Sequence, residues 1–434
     1  MTKYQTYSSM TDSRLPWLGE IPKDWGLKKM KFIAEITLGK MLQNENSGTD
    51  VSKPYLRAQN IQWFTPDLDD VREMWFAKWE LHKLGLKKDD LLVSEGGEVG
   101  RTAIWNEQLK ECFFQNSVNR VRVHSNQSSK FHLYCFFALG NAGAFDAIVS
   151  RVSIAHLTRE KLKEVQVPVP ELSLQEKIVT FLDEKTAIID RVIAKKHHLI
   201  ELLKEKRTAI INQAVTKGLD PNSKLIDSGE PWLGKIPKGW ETRKLKFAAT
   251  LNSEVLSENT EKNFLFKYID IGNVEQGYIS EELPEYSFVE APSRARRLVK
   301  KGDTILGTVR TYLKAVAQIE YFVADAVVST GFAVIHSKLL DARYQYYQCL
   351  SERFVQSVVA ASTGVSYPAI NPTDLAALTV SIPPMAEQQK IATYLDQKTS
   401  KISEIIKEIE RSIHLLVEYK SSLIHHAVTG KIKI

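Results

Sequence analysis

Cysteine is scarce in this sequence. The three present, Cys112, Cys135 and Cys349, are widely separated and form no CxxC pair. That argues against a disulfide framework or a zinc site and fits a reducing cytoplasm. Long apolar runs are missing too. The most apolar window, YCFFALGNAGAFDAIV from Tyr134, is interrupted by Asn141 and Asp146 and is too short to span a bilayer. The stretch MTKYQTYSSMTDSR at the start holds no apolar core of signal-peptide length. A soluble, cytoplasmic protein is expected, and 43% apolar with 25% charged residues suits ordinary globular domains.

Catalytic signatures are equally absent. The sequence has no GxxxxGK phosphate loop ending in Ser or Thr, no HExxH, no GxSxG, and no GxGxxG after a strand. SEGGEVG from Ser94 is rich in glycine, but no Lys-Ser/Thr pair follows it and its counterpart GTVRTYL from Gly307 loses the glycines, so it reads as a turn. His197–His198 and His425–His426 have no partner ligands in the pattern, and no metal site is expected. No nucleophile stands beside a base. The reading is a chain without catalytic residues.

What the sequence does have is a repeat. PWLGEIPKDW begins at Pro16 and PWLGKIPKGW at Pro231, 215 positions on. Farther along, the offset settles at 213: Tyr55, Asn60 and Ile61 match Tyr268, Asn273 and Val274, and KKDDLL from Lys87 matches KKGDTI from Lys300. LDEKT from Leu182 matches LDQKT from Leu395, and Ala214, Val215 and Thr216 match Ala427, Val428 and Thr429. The period is domain-sized, far longer than that of a solenoid.

Each copy divides in two. The first part mixes strand-like runs such as FFQNSVNRVRVH and DAVVSTGFAVIH with helical patterns such as DARYQYYQCLSERFVQSVVA. The last part is a long helix. From Ser173 to Thr216 there is neither Pro nor Gly, Ser173 and Glu176 form an S-x-x-E capping box, and Gly218 and Pro221 close the segment. About 44 residues make a helix of ~65 Å. Expected boundaries are a first globular domain over 1–172, a helix over 173–217, a second globular domain over 218–385 and a second helix over 386–434.

Apolar residues on these helices recur every seven positions, as a packed helix pair requires. In the second copy the stripe is Leu395, Ile402, Ile409, Leu416 and Leu423, with Ile391, Ile405 and Tyr419 beside it. In the first it is Leu182, Ile189, Leu203 and Ile210, broken by Lys196, with Ile178, Val192 and Leu199 as companions. A tandem duplication pairs equivalent helices most simply about a pseudo-twofold axis, which runs them antiparallel. The expected fold class is therefore α+β: two globular domains joined by two long helices that form an antiparallel coiled coil.

Net charge is +6, and cations collect in the globular parts. Lys87, Lys88, Arg101, Arg120, Arg122 and Arg151 are the candidates for phosphate or base contact in the first copy. In the second they are Arg294, Arg296, Arg297, Arg310, Tyr312 and Lys314, with Ser362, Thr363 and Tyr367 of the STGVSY loop adding hydroxyl donors. Two similar but non-identical domains on a stiff linker suit a target with two separated, unlike parts, and duplex DNA is one.

The WLGxIPxxW openings, the KKGDTIL strand entry and ASTGVSYPAINPTDLAALTVSIPPMAEQQKIATYLDQKT from Ala361 together resemble the specificity subunit of type I restriction-modification enzymes. The P-P-x-x-E-Q-Q-K-I run is the most specific sign, and PELSLQEKI from Pro170 is its relative in the first copy. The first copy departs at IVSRVSIAHLTREKL, which has no Ser-Thr-Gly. The resemblance implies two target recognition domains, each reading half of a bipartite, asymmetric DNA site, with the helices setting the gap. It implies docking of two modification subunits, which bind S-adenosylmethionine and methylate adenine, and of two restriction subunits that use ATP and Mg. This chain itself would be non-catalytic and carry no cofactor. Two other readings stay open: a related system with methylation and cleavage on one partner chain, and a scaffold binding peptides or RNA. The Trp- and Pro-rich phrase is expected to anchor each domain to the helix ends through Trp17, Trp25, Trp232 and Trp240.

Overall fold

The structure is a computed structural model that describes residues 4–148, 156–320, 326–364 and 366–434. Arg151 of the candidate contacts lies outside the described residues. The chain forms two compact units. One comprises Met1–Lys196 with Arg411–Ile434, the other His197–Glu410.

In the first unit, strands β1 (Gly26–Lys29), β2 (Ala34–Leu38), β3 (Val51–Leu56), β4 (Arg72–Phe76), β5 (Leu91–Ser94), β6 (Thr102–Ile104), β7 (Phe113–Phe114), β8 (Val118–Val123) and β9 (Gln166–Val169) build two main sheets and a small pair. A four-stranded sheet runs β2-β8-β5-β6, a three-stranded one runs β4-β3-β7, and β9 pairs with β1. All four residues of β5, LLVS, are buried, as an apolar central strand covered on both faces should be. Helix α1 (Ser129–Asn141) packs on this core with Phe131, Leu133, Tyr134, Phe136 and Leu139 buried. The Ser128 hydroxyl caps it, accepting from the Phe131 N–H at 3.3 Å.

The second unit repeats the plan. Its strands are β10 (Glu241–Lys244), β11 (Ala249–Leu251), β12 (Leu265–Ile269), β13 (Glu285–Ser287), β14 (Ala295–Leu298), β15 (Thr304–Gly307), β16 (Val316–Gln318), β17 (Val327–Ser329), β18 (Phe332–Ser337) and β19 (Thr379–Ile382). The sheet β11-β18-β15-β16 has the strand order of its counterpart, and β19 pairs with β10 as β9 does with β1. The other sheet runs β13-β12-β17-β14. Strand β14 is an addition, and it carries part of the SRARRL segment. Helices α3 (Ala342–Leu350) and α4 (Glu352–Ala360) pack on the core.

Equivalent turns lead into the central strands β5 and β15. The Asp90 carboxylate accepts from the Lys87 N–H at 2.7 Å, and Asp303 from the Lys300 N–H at 2.8 Å. The residue before each carboxylate is left-handed, Asp89 at φ 66 and Gly302 at φ 92, a conformation glycine and aspartate tolerate better than most.

The long helices are α2 (Leu172–Lys217) and α5 (Met385–Val428), of 46 and 44 residues. Ser173 lies inside α2 rather than capping it. A buried glutamine three residues in secures each start instead. Gln175 donates to the Pro170 carbonyl at 2.8 Å and accepts from the Ser128 N–H at 2.9 Å; Gln388 does the same with Pro383 (2.8 Å) and Asp341 (2.7 Å).

Within the first unit, early residues of α2 (Ile178, Leu182, Ile189) share a core with late residues of α5 (Leu423, Ile424, Ala427, Val428). The Lys420 ammonium meets the Asp190 carboxylate at 2.7 Å. Within the second, late residues of α2 (Ile211, Ala214, Val215) pack with early residues of α5 (Ile391, Ala392, Leu395). In both units the neighbouring helix segments are therefore antiparallel. Ile402 and Ile409 are buried, and Leu203, Ile210 and Leu416 are half-buried.

The companion stripe needs a correction. Val192 and Leu199 are exposed, at 37% and 45%, whereas Ile200 is buried and Ile193 half-buried. Tyr419 is exposed as well, and its neighbour Lys420 turns inward. At these three places the companion follows the main stripe by four residues, not three, whereas Ile178 and Ile391 are buried and Ile405 is half-buried as expected. Either step keeps two residues on one helix face, and apolar residues occupy both, so only the packed partner decides.

Each Trp/Pro phrase lies on the C-terminal end of a long helix. Gly430 follows α5 at φ 68, and a Cβ there would collide with the Pro22 ring and sit 3.3 Å from Trp25. Gly218 follows α2 at φ 73, where a Cβ would sit 3.3 Å from Trp240 and 3.6 Å from Pro237. Trp240 Nε1 also donates to Glu387 at 3.0 Å.

Candidate nucleic-acid interface

The candidate cations separate into structural and available groups. Arg120 sits on the central strand β8 and is 1% exposed. Its guanidinium donates to the Lys83 and Gly85 carbonyls at 2.9 and 3.3 Å, to Glu35 at 3.0 Å and to the Thr37 hydroxyl at 3.1 Å. Burial pulls it below the usual arginine range. Arg122 holds Asp90 in a two-pronged pair with both bonds at 2.7 Å, and that hydrogen bonding raises it. Neither arginine is free to meet DNA, which corrects the sequence reading. Both were candidates as cations of the globular part, and residue type alone does not show that they are held inside the fold.

Lys87 and Lys88 are exposed on the turn before β5. Arg101 lies beyond the other end of that strand, paired with Glu98 at 3.0 Å. The structure thus does not gather the first copy's candidates into one patch.

The second copy does form a cluster. Arg294, Arg310 and Tyr367 line a surface cleft of about 580 Å³ together with Val309, Thr330 and Gly331. Arg294 is exposed, and neither it nor Arg310 has a carboxylate partner among the described residues. The Arg310 guanidinium lies over the Tyr367 ring, 5.1 Å from its centroid, and Tyr312 and Thr363 are exposed nearby in sequence. The remaining candidates are occupied. Arg296 lies over the Phe288 ring at 5.3 Å, and burial lowers Arg297, one of whose nitrogens is enclosed with no hydrogen-bond partner among the described residues. Lys314 binds Glu352 at 2.7 and 2.9 Å, and the Ser362 hydroxyl donates to the Val358 carbonyl at 2.8 Å.

Sequence reasoning missed a polar network that positions each domain on its helix. In the first unit Asp183 of α2 accepts from Tyr134 at 2.7 Å and pairs with Lys130 at 2.6 Å. In the second, Asp396 of α5 accepts from Tyr347 at 2.8 Å and pairs with Arg343. The recurring LDEKT and LDQKT were the available signal, since these aspartates are their second residues. Thr330 and Gly331, which line the cleft, gave no signal beyond belonging to a strand-turn-strand run.

Among the described residues no helix is long and apolar enough to cross a membrane, and no group of side chains could hold a metal ion. The three cysteines are buried, with Cys112 and Cys349 pushed up to about 12 by burial, as unreactive thiols should be.

Comparison with known proteins places this geometry. The chain is similar to the MjaIX and MjaVIII specificity subunits of type I restriction enzymes from Methanocaldococcus jannaschii. It is 24% identical to the first (96% of this chain, 95% of the relative) and 21% to the second (95% and 94%). It is also 24% identical to the EcoBI specificity subunit of Escherichia coli over 79% of this chain and 74% of the relative. Two solved structures share the fold. A chain from a study of assembly and conformational transition of the type I R-M system matches with a TM-score of 0.68 at 13% identity, covering 94% of this chain and 98% of that one. The HsdS subunit from Thermoanaerobacter tengcongensis matches with a TM-score of 0.53 at 13% identity, covering 95% and 98%. The family model described as type I restriction modification DNA specificity domain matches twice, over residues 22–202 and 237–415, and the chain belongs to that family.

Proposed function

We propose that this chain is the DNA-recognition subunit of a type I restriction-modification complex. It reads a bipartite, asymmetric duplex site, one half per globular domain, and is itself non-catalytic. The observation that carries this reading is the double match to the specificity family, falling once on each of two domains with the same central sheet and different cationic edges. Unlike edges suit unlike half-sites. The long, uninterrupted helices would set the gap between half-sites. Two modification subunits, carrying S-adenosylmethionine and methylating adenine, would dock on this chain, and two restriction subunits would bring ATP and Mg. The setting would be the cytoplasm.

The test is selection from a pool of random duplexes by the complex with its modification subunits, read beside adenine methylation. One split sequence should emerge, with affinity falling steeply as salt rises. Equal binding to RNA, or no sequence preference, would refute the reading. Adding four residues to each helix, near Leu203 and at the matching place in α5, tests the gap. It should move one end by ~6 Å and ~40°. That is close to the ~6.8 Å and ~70° of two base-pair steps, so the tolerated gap should lengthen by about two. An unchanged gap would exclude the helices as the spacer.

A further inference from the structure

The loop after β15 contains a backbone feature that folding alone does not explain. Arg310 is left-handed at φ 50, ψ 52, and so is Lys314 at φ 53, ψ 34, one on each side of a single 3-10 turn over Thr311–Leu313. An L-residue pays roughly 1 kcal/mol or more for that conformation, and only glycine, asparagine and aspartate visit it routinely. The first copy shows what an unstrained version looks like. Its left-handed positions after β5 are Gly97, third past the strand as Arg310 is, and Gly100, two before the next strand as Lys314 is. The second copy keeps a positive φ at both places and sets Arg310 and Lys314 there, around a 3-10 turn that the first copy lacks.

The strained turn is fixed from several directions. The Thr311 and Ser362 hydroxyls bond at 2.9 Å, the Thr308 hydroxyl donates to the Gly331 carbonyl at 2.9 Å, and the Ile370 N–H donates to the Thr308 carbonyl at 2.9 Å. Lys314 has a role within the fold, held by Glu352. Arg310 has none among the described residues. Among the described residues its guanidinium lies against the ring of Tyr367, which is 68% exposed. The ring contact engages one side of the guanidinium and leaves N–H donors for a ligand. A phosphate contact needs no such positioning, because a flexible lysine supplies it. An arginine on a fixed backbone, with its guanidinium over a ring at the rim of a cleft, suits a planar acceptor pair such as the guanine O6/N7 edge in the major groove. Strain held in place at a ligand-facing side chain is the expected mark of such a role.

We propose that Arg310, braced by Tyr367, reads one guanine in the half-site bound by the second unit. The inference rests on the DNA-recognition reading above. The experiment compares wild-type, Arg310→Gly and Arg310→Lys complexes, each with modification subunits, in selection from random duplexes. Both variants should lose preference at a single G·C pair of the second half-site, by about ten- to a hundredfold, and keep the rest of the sequence. Arg310→Gly should melt no lower than wild type, because glycine relaxes the turn. A uniform loss of affinity across sequences with a smaller salt slope would make Arg310 a phosphate contact and overturn the proposal. An unaltered sequence preference would overturn it as well, as would a changed preference in the first half-site. If wild type itself showed no split preference, the function would fail first and the two failures could be told apart.

Discussion

The two units share a scaffold and differ in how they use charge. At the centre of the first sheet lies Arg120, fully buried, whereas the residue with the same pairing partner in the second unit is Val334, also buried. Arg122 grips Asp90 in the first unit; His336 takes that place on Asp303 at 2.8 Å in the second. The first unit invests its arginines in internal structure. The second builds its centre from apolar residues and displays Arg294 and Arg310 at its edge, helped by the additional strand β14. The carboxylates at the strand entry, the glutamines at the helix starts and the Tyr–Asp ties are the same in both. Duplication preserved the joints between domain and helix and let the edges diverge, as expected where each domain meets a different half-site.

Substitutions can break this comparison or sharpen it. The largest effect is expected for Arg120→Ala, which should cost the first unit about 3 kcal/mol by stranding two carbonyls and a hydroxyl. Denaturant unfolding would read it, and a loss below about 1 kcal/mol would remove Arg120 from the structural set. Smaller and matched effects are expected for Tyr134→Phe and Tyr347→Phe, about 1 kcal/mol each, since each removes one hydroxyl from an aspartate. Clearly unequal losses would show that the two joints are not equivalent.

The smallest effect concerns acid. Glu164 is held to about 2 by hydrogen bonds from Lys29 and then Lys31, joining α-helical residue 164 to the β1 region. Its folded value lies below the usual 4.5, so its contribution is fully present above 4.5 and is lost as pH falls through about 2. The wild-type advantage over Glu164→Gln should therefore shrink across that window. A constant difference in melting temperature from pH 5 to 2 would disprove the linkage.

Much of the fold was legible because the repeat was. The offset of 213 located both long helices; the first runs to within a residue of its expected bounds, and the second starts one residue early but ends at Val428, six residues short of the expected 434, because Gly430 closes it. Inward and outward faces were harder. Val192 beside Ile193 and Leu199 beside Ile200 offer two apolar stripes, and only the opposing surface selects one. The candidate interface was half legible for a related reason. A strand pattern such as VNRVRV cannot say whether it sits at an edge or in the centre, so the burial of Arg120 could not be read from it. Arg310 was visible as a cation, but its left-handed backbone belongs to the turn and has no signature in residue type.

The composition of the compact units has a consequence for synthesis. Residues 197–410 are contiguous, so the second module can complete itself while residues 411–434 have yet to emerge from the ribosome. The earlier-made module must wait for Leu423, Ile424, Ala427 and Val428 to cover its apolar flank. The half translated first is therefore the half that finishes last, and a nascent chain stalled near residue 410 would present that flank to chaperones.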